Sequence, residues 1–392
     1  MICRNLVSGF GTAAVVVVLV SGCQPSGSGT PPSTAESSAT PLASPVAFPT
    51  APFVAISLDP VSEERAAELQ AILDDMLADG GMTATVMTAE GTWSGATGTA
   101  DVVNDMQPTS QFGIGSITKS VIAAQVMQLV EAGELSLDAP ATDFLPADFA
   151  FDTNGATIRQ LLSMLAGIPD WYSDAMEQEM AQDRSRVWSQ AEVLALVTPD
   201  RNPAGAEFQY TDTNYTLLGL VIEHVTGRPL VDVVRGGVLD VPGTERLVYQ
   251  PDEAPTDPMA MPLSESRAAL EQGAGYLPSI SDASSAGPAG SIASDAPSLA
   301  QWWRAFCVGE IVSQASLNEM SNLVGGPDGY GLGLFNISGT PGSIGHAGQN
   351  FGYVSWAGCL PQDGAVIVVL STYLLDNIGG MAEPLVRAVQ SE

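Results

Sequence analysis

Segments with the pattern of β-strands lie near both ends of this 392-residue sequence, and helical patterns fill the region between them. The strand candidates are residues 83–88, 92–97, 352–357 and 365–372. The helix candidates are a capped segment that starts near Ser62 and residues 116–132, 157–165, 189–197, 214–225, 299–306 and 383–390. Strands at both ends with helices between them predict an α/β (α+β) lobe that closes on itself, an inserted helical lobe and a cleft between the two.

The charge balance argues against one class of function. The chain has 44 acidic and 13 basic residues, a formal net charge of -31, and 12 of its basic residues are arginines. It has no basic stripe to neutralise phosphates, so we expect no nucleic-acid partner. With two histidines and no cysteine pair at zinc spacing, the sequence predicts no metal site and no cofactor.

The first residues have the pattern of a targeting segment. Arg4 supplies positive charge, and a short apolar run at residues 13–20 ends just before Cys23. This pattern resembles a bacterial lipobox, which implies that residues 1–22 are a lipoprotein signal peptide and that Cys23 is lipidated. Residues 23–57, rich in Pro, Ser, Thr and Ala, predict a flexible linker, and residues 58–392 would form the folded domain.

We therefore expect an extracytoplasmic lipoprotein held at the cell membrane. An ordinary secretory signal with an incidental cysteine is the alternative. In an oxidising compartment Cys307 and Cys359 can form a disulfide, and two buried free thiols are the other interpretation.

The strongest chemical signal is Ser116 followed three residues later by Lys119, the only lysine of the chain. Residues three apart on a helix share a face, so the amine can reach the serine hydroxyl. A serine needs a neighbouring base, and burial can lower the pKa of a lysine until it serves as one. Arginine, used everywhere else in this chain, cannot do so. The competing interpretation is that Ser116 caps a helix and Lys119 is solvated.

Two further segments carry candidate site residues. Tyr210 and Asp212 precede the predicted helix at residues 214–225, where Tyr210 could relay a proton if a nearby ammonium partly ionises it. Alternatively, Tyr210 packs in the core and Asp212 or Thr213 caps the helix. His346 lies in a Gly-rich stretch just before the predicted strand at residue 352. It could bind a substrate carboxylate or the Tyr210 oxygen, or it could be an ordinary loop residue.

In this order the three segments resemble the serine β-lactamase and D-Ala-D-Ala carboxypeptidase superfamily, specifically its class C-like branch of esterases and D-aminopeptidases. Further matches include Gly167, Pro169 and Asp170, and the stretch at residues 289–292. The resemblance covers nearly everything from about Ser62 onward. It implies an antiparallel β-sheet flanked by helices, with an inserted all-helical lobe.

The resemblance also implies roles for these residues. Ser116 would be the acylated nucleophile, Lys119 its activator, and Tyr210 the general base and acid, with His346 at a position that is lysine or histidine in the family. Asp212 would contact the substrate, and Gly348 would lead to an oxyanion hole made by the backbone N–H groups of Ser116 and Gln349. Two departures stand out: the family often has asparagine where this chain has Asp212, and His-Thr-Ser-Gly where it has residues 164–167.

The sequence thus predicts a serine hydrolase that forms an acyl-enzyme with an ester or a D-amino-acid peptide. Its partners would be a small molecule or a peptide, with the cell wall as one source, and the membrane through Cys23. A β-lactamase is the alternative within the same class. A non-catalytic lipoprotein that binds cell-wall peptides in the same cleft is the alternative from another class, motivated by Asp212.

Overall fold

The computed structural model describes residues 56–256, 259–263, 270–271, 275–276, 279–323, 329–335, 342–350, 352–373 and 377–391. The predicted signal peptide, Cys23 and all but the last two residues of the predicted linker lie outside them. Among the described residues, no helix is both long and apolar enough to cross a membrane.

The strands, in chain order, are β1 (Gly81–Thr88), β2 (Gly91–Gly98), β3 (Phe112–Gly113), β4 (Val248–Tyr249), β5 (Leu270–Glu271), β6 (Gly275–Tyr276), β7 (Ile292–Ser294), β8 (Ile344–Asn350), β9 (Tyr353–Leu360) and β10 (Ala365–Ser371). The α-helices are α1 (Glu63–Met76), α2 (Thr118–Glu131), α3 (Ile158–Leu162), α4 (Asp174–Gln182), α5 (Gln190–Leu194), α6 (Thr213–Thr226), α7 (Leu230–Gly236), α8 (Ile280–Ala286), α9 (Ala296–Cys307), α10 (Gln314–Met320) and α11 (Glu383–Gln390).

The main sheet has five antiparallel strands in the order β2-β1-β10-β9-β8. The hairpin near the start of the domain pairs with the last strand, Thr85 opposite Val368, so the chain closes on itself as the strand pattern predicts. The mixed architecture of helices and an antiparallel sheet is confirmed. One strand, β8, forms an edge of this sheet.

Side chains of β10 alternate between two apolar cores, as the period of two in a strand requires. Ile367 and Val369 pack with α1 and α11 on one face of the sheet. Val366, Val368 and Leu370 face the other core, which contains α9 and the helical region. A disulfide between Cys307, at the end of α9, and Cys359, on β9, joins this helix to the sheet.

The helices that carry the site are buried on nearly every side. All residues of α2 from Thr118 to Met127 are buried, and most of α6 is buried as well. Helices that are apolar all round belong in the interior, where their position is set by packing on several neighbours. The two helices therefore give the site a rigid support.

One boundary differs from the sequence expectation. The Gly-rich stretch around His346 is not a loop before the strand at residue 352 but forms the edge strand β8, which pairs with β9 from Ile344 opposite Cys359 to Asn350 opposite Tyr353. Glycines are poor strand formers, so the pattern alone favours a loop. Pairing with the fully buried strand β9 outweighs that preference.

Candidate active site

Ser116 lies where the chain passes from strand β3 into helix α2. A short 3-10 helix, Gly115–Ile117, makes this turn, and Lys119 follows in the first turn of α2. Gly115 has a φ of +54°, which an L residue with a side chain adopts only at a cost. A Cβ at Gly115 would also come within 3.1 Å of the Gln349 backbone nitrogen, so this turn sits directly against edge strand β8.

Lys119 is fully buried, and its ammonium has a partner for each of its three hydrogens. The Nζ atom is 3.0 Å from Ser116 Oγ, 2.8 Å from the Ala289 carbonyl oxygen and 2.6 Å from Asp212 Oδ1. It also lies 5.0 Å from the centre of the Tyr210 ring. The spacing argument is therefore correct that the lysine reaches the serine.

The protonation state of Lys119 differs from the expectation. Burial pushes its pKa down, as the sequence argument assumed, but the charge of Asp212, followed by Tyr210, pushes it up. The net effect raises the pKa of Lys119 well above its ordinary value. In the resting site Lys119 is a cation that donates to Ser116, not a free amine.

Tyr210 is also protonated at rest. Burial raises the pKa of its phenol, and although the Lys119 charge and hydrogen bonds with Ser116 and Lys119 act in the opposite direction, the net shift is upward. Asp212 contributes to that upward shift. The structure thus places Tyr210 beside the nucleophile as predicted, but its ring is neutral rather than partly ionised.

Asp212 is positioned by the start of α6, yet it does not cap that helix with its side chain. Its carboxylate is directed to Lys119 instead and remains 26% exposed. The Asp212 side chain therefore does not cap the helix, and it is not left free to contact a substrate. Asp212 is the counter-ion of the only lysine.

Asp170 is a site residue whose role the sequence did not reveal. Its Oδ1 accepts hydrogen bonds from the backbone N–H groups of Asp212, at 3.2 Å, and Tyr172, at 3.3 Å. Thr213 reinforces this junction, because its hydroxyl donates to the Pro169 carbonyl and accepts from the Trp171 N–H. Burial, and after it the charge of Asp212, raises the pKa of Asp170 to about 7.

His346 is buried on β8, 1% exposed, in an aromatic cluster with Tyr330 and Phe335. Its Nδ1 lies 2.6 Å from the carbonyl oxygen of Ala347, which makes Nδ1 the protonated nitrogen, and its Nε2 lies 3.4 Å from the Tyr330 hydroxyl. Burial, and after it the charge of Lys119, lowers the pKa of His346 to about 3. The histidine that the sequence offered as a hydrogen-bond donor to a carboxylate is therefore a neutral ring, and its Nε2 is turned toward Tyr330.

Gly348 lets β8 lie against the turn that carries Ser116. A Cβ there would overlap the Ile114 carbonyl oxygen and come within 2.5 Å of Ser355 Oγ. Ser355 fills that space and donates to the Ile114 carbonyl at 2.7 Å. The next residue, Gln349, is exposed at the edge of the sheet. The glycine therefore allows the close approach of the two backbones on which an oxyanion hole would depend.

The comparisons with known proteins agree with this arrangement. The profile of the beta-lactamase family matches residues 69–389. The chain belongs to the beta-lactamase family. Penicillin-binding protein 4 of Amycolatopsis lactamdurans is 30% identical over 296 residues, which are 67% of this chain and 72% of that protein. The chain thus has the fold of a family of serine hydrolases.

Solved structures of the same fold include a D-stereospecific amidohydrolase and a D-amino acid amidase. A D-stereospecific amidohydrolase from Streptomyces sp. is 27% identical with a TM-score of 0.68, over 82% of this chain and 98% of that one. The D-amino acid amidase of Ochrobactrum anthropi SV3, in complex with L-phenylalanine, is 25% identical with a TM-score of 0.69, over 84% of this chain and 98% of that one.

Residues 164–167 depart from the family pattern, and the contacts of Met164 show how this beta-lactamase-family chain supports its site there. Met164 is buried with a φ of +62°, unusual for a residue with a side chain, and its carbonyl accepts the Gln209 N–H at 2.9 Å, next to Tyr210. Asn214 Nδ2 contacts the Met164 sulfur at 3.5 Å, while Asn214 Oδ1 has no partner among the described residues. Met164 thus supports the segment next to Tyr210 through its backbone carbonyl and its buried side chain. Its sulfur gives Asn214 only a weak hydrogen-bond acceptor.

Proposed function

We propose that this protein hydrolyses amides or esters through a covalent ester of Ser116. The observation that carries the proposal is the 3.0 Å hydrogen bond between Ser116 Oγ and the fully buried Lys119 ammonium at the start of α2. A buried cation beside a hydroxyl stabilises the negative charge that develops when the oxygen attacks a carbonyl carbon.

The carbonyl oxygen would bind to the backbone N–H groups of Ser116 and Gln349. Support comes from the 3.1 Å approach of the Gln349 nitrogen to the Cβ position of Gly115, the residue before the nucleophile. Two N–H donors fixed by packed backbone do not reorganise during the reaction, which is the property an oxyanion hole needs. Tyr210, with its hydroxyl near both Ser116 and Lys119, would pass a proton to the leaving group.

The charges of the site favour one kind of substrate. Neither Lys119 nor His346 is available as a cation to a substrate carboxylate, because the Lys119 ammonium is fully engaged and His346 is neutral. We therefore rank amides and esters of small amino acids above D-Ala-D-Ala carboxypeptidase substrates. They include D-amino acids, because one structural relative is named a D-amino acid amidase and another a D-stereospecific amidohydrolase. β-Lactams rank last, because their carboxylate would also find neither Lys119 nor His346 available as a cation.

The test is active-site labelling followed by substrate profiling. A soluble form of the folded domain is incubated with a fluorophosphonate, and the mass increase is mapped to a residue. We expect the adduct on Ser116 and none in the Ser116→Ala variant. Amides and p-nitroanilides of D- and L-amino acids, short esters, a D-Ala-D-Ala peptide and a chromogenic cephalosporin are then assayed in parallel. No adduct on Ser116 and no turnover, with retained binding of cell-wall peptides, would favour the non-catalytic alternative.

We also propose that the protein is lipid-anchored through Cys23 outside the cytoplasm. The support is the sequence alone: the apolar run at residues 13–20 that ends before Cys23, and the linker composition that follows. Labelling with a radioactive fatty acid should mark the full-length chain and not a Cys23→Ser variant. Equal labelling of both chains, or of neither, contradicts this anchor.

A further inference from the structure

In the resting site Lys119 and Tyr210, the two groups that the family resemblance suggests as bases, both carry a proton. The pKa values of Lys119 and Tyr210 both lie above their ordinary values. Ser116 must nevertheless lose its proton when its oxygen attacks a carbonyl carbon. Another group has to accept that proton, and it has to be connected to Ser116.

A carboxylate lies one step away from the nucleophile. Asp212 Oδ1 is 2.6 Å from Lys119 Nζ, and Lys119 Nζ is 3.0 Å from Ser116 Oγ, so the three groups form a continuous hydrogen-bonded chain. Of the other partners of Lys119, the Ala289 carbonyl cannot take up a proton and the Tyr210 phenol is already protonated. Asparagine, which the family often has at this position, could not do so either.

We propose that Asp212 accepts, by way of Lys119, the proton that Ser116 loses during acylation. This inference rests on the proposed acyl-enzyme function and adds a proton acceptor to it. The three residues form a Ser-Lys-Asp relay in which Lys119 is the shuttle and Asp212 the terminal acceptor.

The N–H bond of Lys119 that points to Asp212 Oδ1 breaks, and its proton bonds to that oxygen. The neutral amine turns its lone pair to Ser116, where it had been the donor. The O–H bond of Ser116 then breaks, and that proton bonds to Lys119 Nζ. The Ser116 oxygen forms a bond to the carbonyl carbon, and the π electron pair of the C=O bond moves to the carbonyl oxygen. When the C=O bond re-forms, the bond to the leaving nitrogen or oxygen breaks. The leaving group takes a proton from the Tyr210 hydroxyl, and Tyr210 regains one from Asp212 through Lys119.

Substrate binding makes this transfer easier. The Asp212 side chain is 26% exposed in the free protein. A substrate bound over Ser116 would exclude water from it. Loss of water destabilises a charged pair relative to its neutral form, so proton transfer from Lys119 to Asp212 becomes less unfavourable. Lys119 regains a proton from Ser116 and remains a cation beside the developing oxyanion.

Other titratable groups surround the relay and contribute to its pH dependence. They are Tyr210 and Tyr215, whose rings face the Lys119 ammonium, Asp170 beside Asp212, and the neutral His346. The decisive variant is Asp212→Asn, because the amide keeps the shape but cannot accept a proton. Asp240→Asn, an exposed acid-to-amide change on the loop after α7, is the matched control.

The experiment measures the rate constant of Ser116 labelling by a fluorophosphonate as a function of pH. At neutral pH we expect Asp212→Asn to be slower than wild type by at least ~10²-fold, and Asp240→Asn to match wild type. The variant also loses the charge that contributes most to the raised pKa of Lys119, so that pKa falls and a neutral amine forms at a lower pH than in wild type. Its labelling rate should therefore rise with pH by about tenfold per unit, whereas wild type should vary by less than about threefold from about pH 6.5 to about pH 9.

Two results overturn the relay. One is an Asp212→Asn variant that labels as fast as wild type or faster. Acylation would then proceed with an asparagine that cannot accept a proton, so no proton acceptor at residue 212 would be needed. The other is a wild-type rate that itself rises about tenfold per pH unit into the alkaline range, which shows that Lys119 must first lose its proton to solvent. The second result needs no variant and decides the matter if Asp212→Asn does not fold. Absence of any wild-type adduct on Ser116 instead contradicts the proposed function.

Discussion

The two walls of the candidate site differ in how they carry charge. The helical wall, formed by Ser116, Lys119, Tyr210 and Asp212 at the starts of α2 and α6, contains an ion pair at 2.6 Å between the buried Lys119 and the partly exposed Asp212. The strand wall, formed by His346, Gly348 and Gln349 on β8, presents backbone groups and a neutral ring with a pKa of about 3. In the proposed mechanism, proton transfer takes place on the helical wall, and the strand wall would offer fixed dipoles to the carbonyl oxygen of the substrate.

Because of this difference, we expect substitutions on the two walls to have separate effects on the reaction. A change on the helical wall should alter proton transfer and its pH dependence. A change on the strand wall should alter the position of the carbonyl oxygen and leave the pH dependence as it was. Three substitutions test that division, in addition to Asp212→Asn.

The largest effect is expected from Lys119→Arg on the helical wall. Arginine keeps the positive charge beside Asp212 but cannot shuttle a proton, and its larger head must fit a side-chain site that is fully buried. We expect the rate of Ser116 acylation to fall by at least ~10³-fold at every pH tested. Stopped-flow labelling measures this, with circular dichroism as the check on folding. Near-normal acylation would show that charge alone, without proton transfer, activates Ser116.

Gly348→Ala tests the strand wall and should have the next largest effect. The added Cβ overlaps the Ile114 carbonyl oxygen, so β8 must shift away from the Ser116 turn and carry the Gln349 N–H with it. We expect acylation to slow by ~10²-fold with an unchanged pH profile. Gly236→Ala on α7 is the control, because the nearest atom to its added Cβ is 3.8 Å away. A changed pH profile would contradict the division of labour between the walls.

His346→Gln should have the smallest effect on activity, below ~5-fold, because a neutral, buried ring transfers no charge to the substrate. His224→Gln, at an exposed position on α6, is the matched control. A loss of ~100-fold, with wild-type activity falling as pH rises through the range where histidine deprotonates, would restore a charged role for His346.

The same variant has a predictable effect on stability. The pKa of His346 is lower in the folded state, about 3, than its ordinary value of 6.5, so its stabilising contribution is present above pH 6.5 and is lost as pH falls toward 3. Below pH 6.5 this one group should reduce the free energy of unfolding by up to about 1.4 kcal/mol per pH unit. Thermal melts should therefore show a weaker acid sensitivity for His346→Gln than for wild type.

Much of the architecture could be predicted because it depends on local pattern. The terminal hairpin, the last two strands and α1, α6, α9 and α11 occur close to their expected bounds, since apolar periodicity and capping residues are local properties. Strand β8 was not predicted, because His346, Gly348 and their small neighbours have little strand preference and become a strand only by pairing with β9.

For the site, the sequence by itself determined the Ser116–Lys119 pair. Three-residue spacing on a helix brings the two side chains together in any fold, and the absence of other lysines marks Lys119 as special. Only the tertiary structure decided which groups hold protons. The states of Lys119, Asp170 and His346 depend on burial and on charges a few ångströms away, and the residues that supply them, Asp212 above all, lie far from them along the chain.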